Sequence, residues 1–411
     1  MSRSCLALLL WLAALSGCAS TPLPTAPKPS ATVWSAPPPS KIVVSPLQQS
    51  MAQLPPESTQ STRSPDAAVV VTPLQLPKES IITTEPHIAL VLPLLSRDFS
   101  RAADTVREGM ETAAAAVPPD TALPIRIYPL DNEKNSLPAI YQQAIAMGAR
   151  CVVAGLTRDG AATLATLAKI KTPTLVLNQV DAQSMPSGPF YTLTLSLDDE
   201  ARQVAKLIAD QGLHQVAIVT GPSSLSKRIH DAFEKEWVER DGEIINDISL
   251  GRDGTEYAKL RSALQGADSI FLAAEVSFIR QVIPFVARGV PIFATSQVND
   301  RKTSAGANTD LQDIRFLDMP WLVEPTHLAV AIYPRSTKAV SAELDRLYAL
   351  GIDAYRLAYM ITAKNGLGAG KLDGVTGDIS LRDGHRFQRE LLPAYFDGGQ
   401  VMPLKSTASP Q

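Results

Sequence analysis

Cysteine is scarce in this chain. There are three in 411 residues, and two of them, Cys5 and Cys18, fall within the first twenty. Cys151 stands alone in the body of the chain, so neither an internal disulfide nor a cysteine-based zinc site can form there. Its place at the start of the apolar run CVVAGL predicts a small buried strand residue. The five histidines, His87, His214, His230, His327 and His385, never fall at metal-ligand spacing, no HExxH occurs, and each reads as a surface or capping residue. Charge of one sign is also missing: the net balance is -3, which gives nucleic acid no basic footprint. Catalytic motifs fail on inspection. Gly221-Pro222-Ser223-Ser224-Leu225 lacks the second glycine of a nucleophile elbow. Gly366 to Leu372 has Asn365 in the first glycine's place and Leu372 where a phosphate loop needs Ser or Thr, so it reads as a flexible loop. No cofactor, no metal and no enzymatic reaction are expected.

What the chain does have begins with an address. Met1 to Ser20 carries Arg3, then the apolar run Leu6 to Leu15, too short to span a membrane. Leu15-Ser16-Gly17-Cys18 follows and looks like a bacterial lipobox, which makes 1–17 a lipoprotein signal peptide and Cys18 the lipidated residue. Acyl chains there would hold the protein on a membrane. Ala19, rather than Asp, favours the outer membrane by resemblance to enteric lipoproteins. Residues 18–86 read as the lipidated cysteine and a disordered tether rich in Pro, Ser, Thr, Ala and Gln, with Pro37-Pro38-Pro39 and Pro55-Pro56 ruling out helix locally. As a flexible coil it spans roughly 45 Å.

The folded part opens with His87 to Val117. The short apolar run Ile88 to Leu95, broken by Pro93, suits a strand buried on both faces. Ser96-Arg97-Asp98 is a polar turn, and Val106, Met110, Ala113 and Val117 then recur at helical spacing. Strand, polar loop and amphipathic helix make the first unit of a parallel α/β sheet. Four more strands follow, at 124–130, 150–156, 174–177 and 190–195. Helices are expected at 136–147 and 161–170. A second series takes over at Ser196, with helices at 196–211, 225–240, 255–264 and 276–287 and strands at 216–220, 243–250, 268–273 and 291–295. The chain ends in helices at 339–350 and 353–364 and a β stretch from 373 to 404. Asp198-Asp199-Glu200 reads as a negative first turn that offsets the helix dipole. Two βα arrays with a return crossing describe the two-lobed periplasmic binding protein type I fold, each lobe a parallel Rossmann-like sheet. The expected limits are 87–195 with 298–411 for lobe 1 and 196–297 for lobe 2.

In such a fold a ligand lies outside the strands' carboxyl ends. The strand-end residues Ser96, Arg97, Thr157, Arg158, Asn178, Gln179, Ser223 and Ser296 are therefore the candidate cleft-binding set. Arg97 and Arg158 are suited to a carboxylate or phosphate.

The stretch IALVLPLLSRDFSRAADTVREGMETA resembles the opening of the LppC/LpoA-type lipoproteins, the outer-membrane activators of penicillin-binding proteins. The matching pieces are Leu92-Pro93-Leu94 and Val106-Arg107-Glu108-Gly109, then Val153-Ala154-Gly155-Leu156, Leu177-Asn178-Gln179, Asp318 to Val323 and the closing GVTGDISLRDGHRFQRELLPAYFDGGQVMPL. The likeness implies a non-catalytic, lipid-anchored protein on the periplasmic face of the outer membrane, whose partner is a bifunctional penicillin-binding protein. Long members carry a helical repeat domain between anchor and binding-protein-like domain, and here only the tether stands in that place. The alternative expectation is a receptor or sensor that takes an amino acid or muropeptide in the interlobe cleft.

Overall fold

The computed structural model describes residues 84–404, apart from 119–120, 168, 287–288, 302–305, 364–366 and 368–369. The expected signal peptide, Cys18 and nearly all of the tether lie outside the described residues, as do Gly366 and Gly368 of the phosphate-loop-like stretch. The described residues form one compact unit.

In chain order, β1 (His87–Leu92), α1 (Ser100–Ala115), β2 (Ile125–Pro129), α2 (Glu133–Ala146), β3 (Ala149–Ala154), α3 (Arg158–Ala165), β4 (Thr174–Val176) and β5 (Phe190–Leu193) build the first array. The second holds α4 (Leu197–Asp210), β6 (Gln215–Thr220), α5 (Ser224–Glu239), β7 (Glu243–Ser249), α6 (Leu260–Ala263), β8 (Ser269–Ala273), α7 (Val276–Val282), β9 (Ile292–Ala294) and β10 (Arg315–Asp318). Then come α8 (Pro320–Val323), α9 (Leu328–Ala331), α10 (Ala342–Thr362) and the strands β11 (Lys371–Asp373), β12 (Asp378–Arg382), β13 (Arg386–Glu390), β14 (Leu392–Asp397) and β15 (Gln400–Pro403). They form two mostly parallel sheets, of order β11-β12-β13-β5-β4-β3-β1-β2 and β15-β14-β10-β9-β8-β6-β7.

Burial on both faces is visible residue by residue in β1. Ile88, Leu90 and Leu92 enter the core shared with α1 and α10, while Ala89 and Val91 enter the core under α2 and α3. Cys151 is fully buried in β3, and burial alone pushes its thiol up to about 12, so it is not a nucleophile at neutral pH. His87, expected at the surface or as a cap, is instead buried, its two ring nitrogens satisfied by the Tyr128 hydroxyl at 2.9 Å and the Glu85 carbonyl at 2.7 Å.

Four expectations change. The two closing helices are one, α10, which runs straight through Gly351. That glycine is a contact point rather than a break, since a Cβ there would stand 2.2 Å from the Val106 carbonyl oxygen of α1. The long helix expected at 276–287 stops at Val282 and tightens into a 3-10 turn around Pro284, which has no N–H to continue the ladder. The helix expected at 255–264 is likewise a 3-10 turn and the single turn α6. Residues 298–411 do not all join the first sheet: β11, β12 and β13 do, while β10, β14 and β15 complete the second. Antiparallel pairing of β14 with β10 draws them there, a long-range choice that local alternation does not encode.

Candidate functional site

The carboxyl ends of β1 to β4 open onto a cavity of about 520 Å³. Ser96, Thr157, Arg158 and Asn178 line it together, with Phe99, Asp131, Asn132 and Lys134. Most of these polar groups are already engaged within the chain. Ser96 Oγ accepts the Phe99 N–H at 3.3 Å. Asn178 Nδ2 donates to the Leu156 carbonyl at 2.7 Å, and its Oδ1 accepts the Gln179 N–H at 2.9 Å. Thr157 caps α3 by accepting the Gly160 N–H at 3.1 Å.

A residue that sequence reasoning passed over completes this arrangement. Glu133, the first residue of α2, turns inward and is 3% exposed. Its Oε1 accepts the Leu156 N–H at 3.0 Å, and its Oε2 accepts both the Thr157 N–H at 2.7 Å and the Thr157 hydroxyl at 2.6 Å. Burial raises its pKa above the ordinary value, against the pull of those three hydrogen bonds. Arg97 and Gln179 are exposed and do not line the cavity, although the Gln179 amide reaches Ser196 Oγ at 3.4 Å.

The second sheet repeats the device. Ser223 caps α5, accepting the Ser226 N–H at 2.9 Å, and its hydroxyl donates to Glu275 at 2.8 Å. The Ser226 hydroxyl donates to the other Glu275 oxygen at 3.2 Å. Ser223 lines a separate hollow of about 410 Å³ with Lys227, His230 and Asp231. His230 lies between Asp231 and Asp247, 3.0 Å from each; burial opposes its charging, but the carboxylates prevail and raise its pKa. Ser296 lies apart from these hollows: it is fully buried, its N–H donates to Glu200 and its carbonyl accepts from Arg346 at 2.9 Å. Larger hollows, of about 710 and 690 Å³, lie at the opposite strand ends, away from every nominated residue.

Where the chain passes between the sheets, a buried charge network pins it. Arg346 reaches Asp318 at 2.8 Å and the carbonyls of Ser296 and Asn299. Asp318 also accepts from Asn299 Nδ2 and from the Met319 N–H. Arg389 donates to the Thr194 and Thr376 carbonyls, and Gln203 clamps the Arg389 carbonyl and the Leu391 N–H. Of the acidic first turn of α4, Asp198 does face outward and pairs with Arg228 at 2.9 Å, and Asp199 approaches Arg202. Glu200 departs from the dipole reading, because it is buried 3.9 Å from Arg389 and accepts the Ser296 N–H.

Desolvation, opposed by Arg389 and reinforced by Asp318, lifts Glu200 from its ordinary 4.5 to about 7. The folded protein thus binds this proton more tightly than the unfolded chain does. The resulting stabilisation is complete below about pH 4.5 and is lost as pH rises through about 7, a change on the order of 3 kcal/mol. Glu200→Gln should remove that slope and gain on the wild type between pH 5 and 8. Urea unfolding at both pH values checks it, and a difference that does not vary with pH would refute the assignment.

The family described as "LppC putative lipoprotein" matches this chain at residues 41–252 and 250–399. The chain is similar to the "Penicillin-binding protein activator LpoA" of Photobacterium profundum, at 23% identity over 77% of this chain and 57% of that protein. It is similar to the same-named protein of Edwardsiella piscicida at 26% identity, over 68% of this chain and 46% of that one. The chain thus spans about half the length of these curated relatives. Among solved structures, a "putative branched-chain amino acid ABC transporter" from Chromobacterium violaceum superposes with a TM-score of 0.67 at 33% identity, covering 76% of this chain and all of that one. The "LpoA (YraM) C-domain from Haemophilus influenzae, a regulator of PBP1A" superposes with a TM-score of 0.64 at 19% identity, over 78% of this chain and all of that one.

Proposed function

Since the chain belongs to the LppC lipoprotein family and has the two-lobed periplasmic binding protein type I fold, we propose that it is a lipid-anchored recognition protein that binds and activates a penicillin-binding protein. In this reading Cys18 carries the lipid, the outer membrane is the anchor, and residues 18–86 are the tether that lets the folded part reach a bifunctional synthase. The folded part is read as two lobes, one on each sheet, and it performs no reaction itself.

The observation that carries this reading is the state of the strand-end polar groups. A receptor for small ligands keeps a few convergent polar groups free for its ligand. Here Thr157 is engaged by Glu133, Asn178 by the Leu156 carbonyl and Ser223 by Glu275, and Ser296 is buried. The buried network at the crossings also opposes the hinge motion by which such receptors close. What remains is a rigid two-sheet body with polar rims, suited to holding a protein surface rather than enclosing a solute.

The test is direct. Soluble protein starting after Cys18 is immobilised, offered a bifunctional penicillin-binding protein, and assayed for glycan polymerisation and cross-linking rates. Retention with a raised rate is expected; no retention and no rate change would remove the proposal. The 520 Å³ cavity keeps a second reading in play, a receptor for an amino acid or muropeptide. Calorimetric heat on adding either ligand class would favour it over the first.

A further inference from the structure

Glu133 stands where this fold would receive the acid group of a ligand, outside the carboxyl ends of parallel strands and at the N-terminus of a helix. Three donors converge on its carboxylate, two backbone N–H groups and one hydroxyl. The first turn of α3 is shaped to admit it, for a Cβ on Gly160 would lie 2.4 Å from Glu133 Oε2. A glutamate in the first turn of α2 has an easier course, which is to face water and offset its own helix dipole. This one crosses to the next helix and is buried instead.

We propose that Glu133 is a built-in ligand: its carboxylate fills the cradle made by Leu156, Thr157 and Gly160, and the vacated cradle is a binding site for a small carboxylate such as acetate. The inference deepens the reading of the strand-end cavity as closed to free solutes and rests on it. A tethered carboxylate competes at an effective concentration of millimolar or more, so a free acid at micromolar level does not displace it. The second sheet supports the same logic, with Glu275 on the two serine hydroxyls at the start of α5.

The experiment uses the full chain with Glu133→Ala, unfolded in acetate and in chloride at equal ionic strength. At ten times its dissociation constant, acetate should raise the variant's folding equilibrium constant about tenfold. Wild type should show no such difference, and adding Thr157→Val to the variant should weaken the rescue. Should Glu133→Ala fail to fold in chloride, its refolding yield in acetate against chloride reads the same quantity. A variant indifferent to acetate in stability and in yield, or a wild type that responds equally, overturns the proposal. Binding of the synthase by wild-type protein is a separate readout, so the two ideas fail independently.

Discussion

Arg346→Ala should destabilise the protein by about 3–5 kcal/mol, the range for removing one partner of a buried ion pair. The side chain is 8% exposed and Asp318 is 1% exposed, so water does not step in as a substitute. Truncation leaves the Asp318 carboxylate with only the Asn299 amide and the Met319 N–H. It also leaves the Ser296 and Asn299 carbonyls without the guanidinium they share. Lysine should recover little, because one ammonium on a flexible stem does not reproduce the planar fork that reaches a carboxylate and two carbonyls at once. The double variant Arg346→Met with Asp318→Leu should recover most of the loss, since it removes the stranded charge as well. Urea midpoints of the two single variants and the double variant decide the matter. A single variant within 1 kcal/mol of wild type would mean the network is not buried as described.

That network bears on function because of where it lies. It ties Ser296 and Asn299, after β9, to Asp318 at the end of β10, and Thr194, after β5, to Arg389 on β13. Thr194, Asp318 and Arg389 stand where the chain leaves one sheet for the other, and Ser296 and Asn299, between β9 and β10 of the second sheet, are tied to them. A solute receptor needs such points to be soft. A protein that presents a fixed surface to a large partner needs them stiff, because preorganised surfaces bind without an ordering cost.

The outline of this fold was legible because its strands are buried on both faces. Ile88 to Leu92 is apolar without interruption and is bounded by Pro93, and a run of that kind has few other uses. The start of α4 was legible at Ser196, whose hydroxyl accepts the Asp199 N–H, whereas Thr157 and Ser223, read from the sequence as cleft residues, turn out to cap α3 and α5. The inward-turned charges were not legible. Glu133 and Glu200 stand among polar neighbours in first turns, and nothing local separates a solvated glutamate from a buried one. The difference comes from Thr157 and Arg389, which lie 24 and 189 residues away in sequence. The β10–β14 pairing was hidden for the same reason, since antiparallel partners far apart in sequence leave no periodic trace in either strand.

Gly351 gives the sharpest contrast between local preference and packing. By helix propensity alone, Gly351→Ala should stabilise α10 by about 1 kcal/mol. The structure reverses the sign. The new Cβ would lie 2.2 Å from the Val106 carbonyl oxygen and 3.0 Å from the Met110 nitrogen, both in the backbone of α1, so no side chain can swing aside. Gly109 on α1 mirrors it, with a Cβ there 2.1 Å from the Tyr348 carbonyl oxygen. The two helices therefore touch backbone to backbone at a pair of glycines, which gives Gly109 of the Val-Arg-Glu-Gly motif its physical role. Separating them opens the core in which Met110, Ile352 and Tyr355 are fully buried. Gly351→Ala should thus cost about 1–3 kcal/mol net, as overpacking does, and Gly351→Val distinctly more. Stability of the two variants, compared with a Gly→Ala change at an exposed position, measures it. An alanine at 351 that raised the denaturation midpoint would show that α1 and α10 do not meet there.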